Sequence, residues 1–175
     1  MCSCRVGQRK MRQDADRSTP SSDAASGPAA DPARAERLST LAKAPPARLA
    51  ALWAVAGLAA DWAWLRAPES GAVMLRGRAG GTGAAFNLGE MTATRCALRL
   101  ATGEVGHGWT AGRDREKARL AALCDALAQT DAAEVVETAI LAPLRAEAAA
   151  RAEGRAARAA ATKVEFFTLQ RGDPA

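Results

Sequence analysis

One histidine in 175 residues, and four cysteines in no ligand-like spacing, leave the chain without a visible metal site. Cys2-x-Cys4 is too short and too isolated for zinc or a cluster, while Cys96 and Cys124 fall in periodic apolar segments and read as small buried hydrophobes. No disulfide framework is indicated, which makes the cytoplasm the expected compartment. No run approaches the ~18 apolar residues of a membrane span, and the N-terminus has cations but no apolar h-region, so a membrane and a secretory signal are both excluded as expectations. Surplus charge is also scarcer than it looks. The formal charge of +5 would suit a nucleic-acid binder, but Arg5, Arg9, Lys10 and Arg12 supply four of those charges in a stretch with no acid. The rest of the chain carries 20 Lys and Arg against 19 Asp and Glu. A duplex-binding surface needs cations concentrated against phosphates, so no nucleic-acid partner is expected.

The length suits one domain with a core of its own and is short for two. Residues 1–30 are rich in Ser, Ala, Asp, Pro and Arg without apolar period and read as a disordered extension; Met11 offers a second start, so a mis-assigned start fits equally. Residues 31–175 read as a single α+β domain. Asp31-Pro32 has the chemistry of a helix start, with Leu38 and Leu41 on one face. Pro45-Pro46 ends that helix and opens a second, with Leu49, Leu52, Trp53 and Ala56 at helical spacing and Gly57 placed to terminate it, giving an N-terminal helical hairpin. The period then drops to two. Asp61–Arg66 and Val73–Arg78 read as one strand pair around Pro68-Glu69-Ser70-Gly71. Ala93–Leu100 and Val105–Ala111 read as another around Ala101–Glu104, with Thr94, Cys96, Leu98 and Leu100 on one face. Two hairpins imply a four-stranded antiparallel sheet, covered on one face by C-terminal helices. Asp114 can cap the first of these, with Leu120, Leu123, Cys124 and Leu127 as its stripe, and Asp131 the next, kinked or broken near Pro143. Residues 145–161 are nearly all Ala, Arg and Glu, a strong helix former with little to bury, which suits solvent or another subunit. Val164–Leu169 closes the chain as an extended aromatic segment.

Candidate chemistry is thin. In Gly80-Gly81-Thr82-Gly83 the glycines let backbone N–H groups converge on an anion, or serve a tight connection needing positive φ. No Walker lysine follows, and Phe86 stands where a dinucleotide fingerprint needs glycine. His107 lies on a strand face with Val105 and Trp109, framed by no cysteine or carboxylate motif, and is expected to be packed or partly buried rather than catalytic. Gly112-Arg113-Asp114 joins a strand end to a helix start, where Asp114 as cap and Arg113 as anion contact are both open readings. Arg95 and Arg113 join the glycine loop as the candidate phosphate or partner contacts. His107, Trp109, Asp114, Phe166, Phe167, Arg171 and Asp173 are the structural or interface candidates. No nucleophile, acid–base pair or metal-ligand set completes a catalytic site, and no catalytic residue is assigned.

Three pieces in fixed order carry a resemblance: Arg78–Arg95, with its glycine loop; Gly106-His107-Gly108-Trp109-Thr110-Ala111-Gly112-Arg113-Asp114; and Lys163-Val164-Glu165-Phe166-Phe167-Thr168-Leu169-Gln170-Arg171-Gly172-Asp173. Together, and through Ile140–Leu144, the chain from about Arg34 onward resembles the PhnG subunit family of the bacterial carbon–phosphorus lyase core complex. The resemblance implies a non-autonomous subunit assembled with PhnH-, PhnI- and PhnJ-like partners, two copies of each. In that family the complex helps an alkylphosphonate displace adenine from ATP, giving a ribose 1-alkylphosphonate 5-triphosphate ahead of carbon–phosphorus cleavage. ATP is then a substrate of the complex, this chain itself binds no cofactor, and the iron–sulfur cluster and S-adenosylmethionine belong to the PhnJ-like partner. The alternative reading is a helix-turn-helix DNA-binding regulator built on residues 32–57. Its second helix offers Arg48 followed by Leu49-Ala50-Ala51-Leu52-Trp53, which reads as core rather than as a recognition surface.

Overall fold

A computed structural model describes residues 31–78 and 83–163. The first helix, α1 (Pro32–Lys43), starts where Asp31 accepts a hydrogen bond from the Ala33 N–H at 3.0 Å and proline occupies the first turn. The second, α2 (Pro46–Ala56), ends at Gly57 with φ 61°, a left-handed cap that glycine takes at no steric cost.

Among the described residues the sheet has three strands, not four. Strand β1 (Trp62–Gly77) runs unbroken through the segment read as a turn, pairing antiparallel with β2 (Phe86–Leu100), which pairs antiparallel with β3 (Val105–Ala111). Pro68 is tolerated because β1 is an edge strand, and register shifts between Trp64 and Arg66 and between Arg66 and Glu69 absorb the residues that cannot join the ladder. The glycine-rich segment therefore links β1 to β2 directly. Beyond Thr92 the two strands continue without β3 beside them, as far as the Gly77–Phe86 pair. The result is a two-stranded arm. Trp62 and Trp64 meet edge to face with ring centroids 4.5 Å apart.

One sheet face is covered by α3 (Arg115–Leu127), capped by Asp114, whose carboxylate accepts from the Lys117 N–H at 2.8 Å. The alternation on β2 puts Thr94, Cys96, Leu98 and Leu100 inward. On β3 the inward residues are Gly106, Gly108 and Thr110, so His107 and Trp109 point outward, against the expectation of a packed histidine. The reason is steric. A Cβ at Gly106 would sit 2.0 Å from the Ala122 carbonyl oxygen, and one at Gly108 2.0 Å from that of Ala118. The two glycines let the helix backbone lie directly on the strand, with Ala118, Ala122 and Ala126 completing the close approach.

Outside α3, helices α1 and α2 and the following elements close the core around Leu41, Leu49, Leu123, Ile140, Leu141 and Leu144. Asp131 does not cap the next helix; the Thr130 hydroxyl accepts from the Ala132 N–H at 3.2 Å, and α4 (Ala133–Val136) starts without a side-chain cap. Near Pro143 the helix is not broken but carries a π-helical irregularity. A π-helical turn (Glu137–Leu141) leads into α5 (Ala142–Ala161), with the Ala142 N–H reaching the Glu137 carbonyl, a wide turn that accommodates a proline lacking its own donor. Past Leu144 no residue of α5 is buried, and the helix leaves the core. No helix among the described residues is long and apolar enough to cross a membrane.

Candidate functional site

The face of the sheet opposite α3 is open. Arg95, on β2, lies 5.8 Å above the Trp109 ring and donates from Nε to Glu69 at 2.7 Å. Glu69 also accepts from Arg66 Nη1 at 2.6 Å, and these two guanidinium groups, Arg66 first, hold its carboxyl below the usual range. Trp109 is 47% exposed, a large aromatic surface on a face that none of the described residues covers. His107 stands on the same face, paired across the strands with Ala97.

The sequence candidates are not brought together. Arg95 and Trp109 face each other across β2 and β3, and Arg113 follows Gly112 at the end of β3. Gly83, with φ 94°, lies beyond Phe86 at the far end of the arm, nine residues of strand from Arg95 and so roughly 30 Å away. Gly80, Gly81 and Thr82 lie outside the described residues, as do Phe166, Phe167, Arg171 and Asp173. Arg113 is exposed and pairs with no carboxylate among the described residues. Asp114 is engaged as the cap of α3.

A buried ion cluster escaped the sequence reading. Asp125, fully buried in α3, takes a two-pronged contact from Arg34, Nε at 3.1 Å and Nη2 at 2.7 Å. Its Oδ2 also accepts from the backbone N–H of His107 at 3.0 Å, and Arg37 approaches to 3.6 Å. Arg34 further donates to the Val105 carbonyl at 2.9 Å, so one carboxylate ties α1, α3 and β3 together. The hydrogen bond to Asp125 raises the Arg34 pKa, outweighing desolvation. The signal was present: a lone acid inside the apolar run Leu123-Cys124-Asp125-Ala126-Leu127, and two arginines three apart on α1. Lys117, 7% exposed, donates to the Ala42 carbonyl at 2.7 Å near the end of α1, and burial lowers its pKa.

These groups build structure and offer no nucleophile. Burial pushes the Cys96 thiol up to about 11 and the Cys124 thiol up to about 12, leaving both protonated at neutral pH. Cys96 donates to the Ala118 carbonyl at 3.2 Å. No group of three or more His, Cys, Asp or Glu side chains poised for a metal occurs among the described residues. The exposed side of α2 offers a DNA groove only Pro46, alanines, Val55 and Arg48, and Arg48 is held by Glu147 at 2.6 Å.

The family model described as phosphonate metabolism protein PhnG matches residues 32–172. This chain belongs to the PhnG family. The resemblance carried by its three motifs is thereby borne out. It is similar to the alpha-D-ribose 1-methylphosphonate 5-triphosphate synthase subunit PhnG of Rhizobium meliloti (strain 1021), with 43% identity over 140 residues, 80% of this chain and 90% of that relative. The match begins at Pro32, where α1 begins, and within PhnG the open sheet face and the arm are the surfaces left to explain.

Proposed function

We propose that this PhnG-family chain is a subunit of a ribose 1-methylphosphonate 5-triphosphate synthase of the carbon–phosphorus lyase pathway, acting in phosphonate catabolism in the cytoplasm. With PhnH-, PhnI- and PhnJ-like partners, two copies of each, it supports displacement of adenine from ATP by an alkylphosphonate. The relative's name supports the activity, and the described residues contain no assembled set of reacting groups. The observation that carries the subunit reading is the arm. Leu75, Phe86 and Leu88 are 41%, 47% and 60% exposed on two paired strands that, among the described residues, have no third strand and no helix against them. An isolated two-stranded ribbon is marginal in water, so an apolar one this long calls for a protein surface.

In this reading the partners supply the reaction centre and PhnG supplies architecture. The iron–sulfur and S-adenosylmethionine chemistry of the later step belongs to the PhnJ-like subunit. Contact of Arg95, Arg113 or the Gly80–Gly83 loop with the triphosphate is a separate proposal. Arg95 lies roughly 30 Å from Gly83, so no single triphosphate touches both in one copy. The test is co-expression of the tagged chain with the three partner types. The wild type retains them through size-exclusion chromatography, and a Phe86→Ser, Leu88→Ser double variant loses them. Retention of all partners by the double variant would remove the arm from the assembly.

A further inference from the structure

A shallow depression of about 320 Å³ lies on the open sheet face, between the irregular part of β1 and the Trp109 side chain of β3. Gly71 and Ala93, paired across the strands, form its floor, Val73 one wall, and Trp109 with Arg95 the other. The floor is low because these two residues project almost nothing from the sheet, while the ring and guanidinium beside them stand clear of it. The charge on this face is unbalanced. Arg66, Arg95 and Arg99 project from it against Glu69, which is already shared between Arg66 and Arg95. Arg99 pairs with no carboxylate among the described residues.

We propose that this depression receives a segment of a partner polypeptide that carries a carboxylate next to an apolar side chain. The apolar group seats on the Gly71–Ala93 floor against the Trp109 ring, and the carboxylate meets Arg95. A small ligand is disfavoured by shape, because specific small-molecule sites bury most of the ligand and this depression is open to solvent. A second copy of the chain is disfavoured by charge, since two such faces would set arginines against arginines. An acidic partner is complementary. Trp and Arg side by side in a shallow pocket are also the side chains that most often dominate binding energy at protein interfaces. The inference rests on the subunit reading and names the chemistry of the partner surface.

The test uses the co-expressed assembly, with p-benzoylphenylalanine placed at Val73 and, separately, the substitutions Arg95→Glu and Trp109→Ala. The crosslink is expected on a partner subunit, within a few residues of an Asp or Glu. Each substitution is expected to weaken partner retention at least tenfold, Arg95→Lys less than Arg95→Glu, with the circular dichroism of the chain unchanged. Wild-type retention by both variants, a crosslink to a second copy of the chain, or a crosslink that ATP suppresses while assembly persists would each overturn the proposal. Failure of the wild-type chain to retain any partner would overturn the subunit reading as well, which separates the two failures.

Discussion

Replacing Asp125 with alanine is the sharpest test of how this fold is held. The carboxylate is fully buried and serves Arg34, the His107 N–H and, at 3.6 Å, Arg37. Its removal takes the carboxylate from Arg34, which keeps only the Val105 carbonyl, leaves the His107 N–H without an acceptor, and strips the nearby Arg37 of its counter-charge. Breaking a buried pair by deleting one partner costs about 3–5 kcal/mol. Arg34 keeps 31% of its side chain in water, which softens its share and favours the lower end, about 3 kcal/mol. A domain of this size holds about 5–15 kcal/mol in all, so the loss is a large fraction of its stability. The melting temperature should fall by about 6–12 °C. Urea titration of the isolated chain at low concentration, followed by tryptophan fluorescence, measures it. In a double-mutant cycle with Arg34→Ala, the two losses should be strongly non-additive. A loss below about 1 kcal/mol, or simple additivity, would refute the view that this cluster ties α1 to the sheet.

Gly108→Ala should cost at least 1–3 kcal/mol by the same titration, because its Cβ would lie 2.0 Å from a helix carbonyl and 2.9 Å from Cys96 Sγ; wild-type stability would mean the helix does not lie so close. His107→Ala should change stability by less than about 0.5 kcal/mol and leave the assembled activity intact, since its side chain is exposed and only its backbone N–H is engaged. The buried thiols make stability fall at high pH: the folded state keeps its protons up to about 11 and 12 while the unfolded chain loses them near 9, so between those values the unfolded state binds fewer protons. Denaturant midpoints measured from pH 8 to 11 should decline at up to about 1.4 kcal/mol per pH unit per thiol, and a flat profile would show that Cys96 and Cys124 reach water in the fold.

Elements whose cues are local were legible in the sequence. Asp31-Pro32, Pro45-Pro46, Gly57 and Asp114 mark helix ends through capping geometry that needs no tertiary partner. The inward face of β2 followed from its period of two. Pro68–Gly71 misled because turn-forming residues also sit at irregularities of an edge strand, and only pairing with β2 distinguishes the two. On β3 the apolar pattern pointed the wrong way. Val105 and Trp109 suggested the core face, but the core side of this strand is read from its small residues, because α3 approaches too closely for side chains. Asp125 stood out as a lone acid in an apolar run, but its partners could not be read locally: they are 91 residues earlier on Arg34 and on the backbone of a different strand. Of the functional candidates, the register of β1 on β2 separates Gly83 from Arg95, and no local pattern carries that distance.

The central claim is that this PhnG chain acts only as part of an assembly. The most direct measurement is adenine release from ATP in the presence of methylphosphonate, with the chain alone, with its PhnH-, PhnI- and PhnJ-like partners, and with the partners lacking it. The account expects no release by the chain alone, release by the full set, and its loss or a large reduction when this chain is left out. Release at the full rate by the chain alone, or by partners that never bind it, would contradict the account.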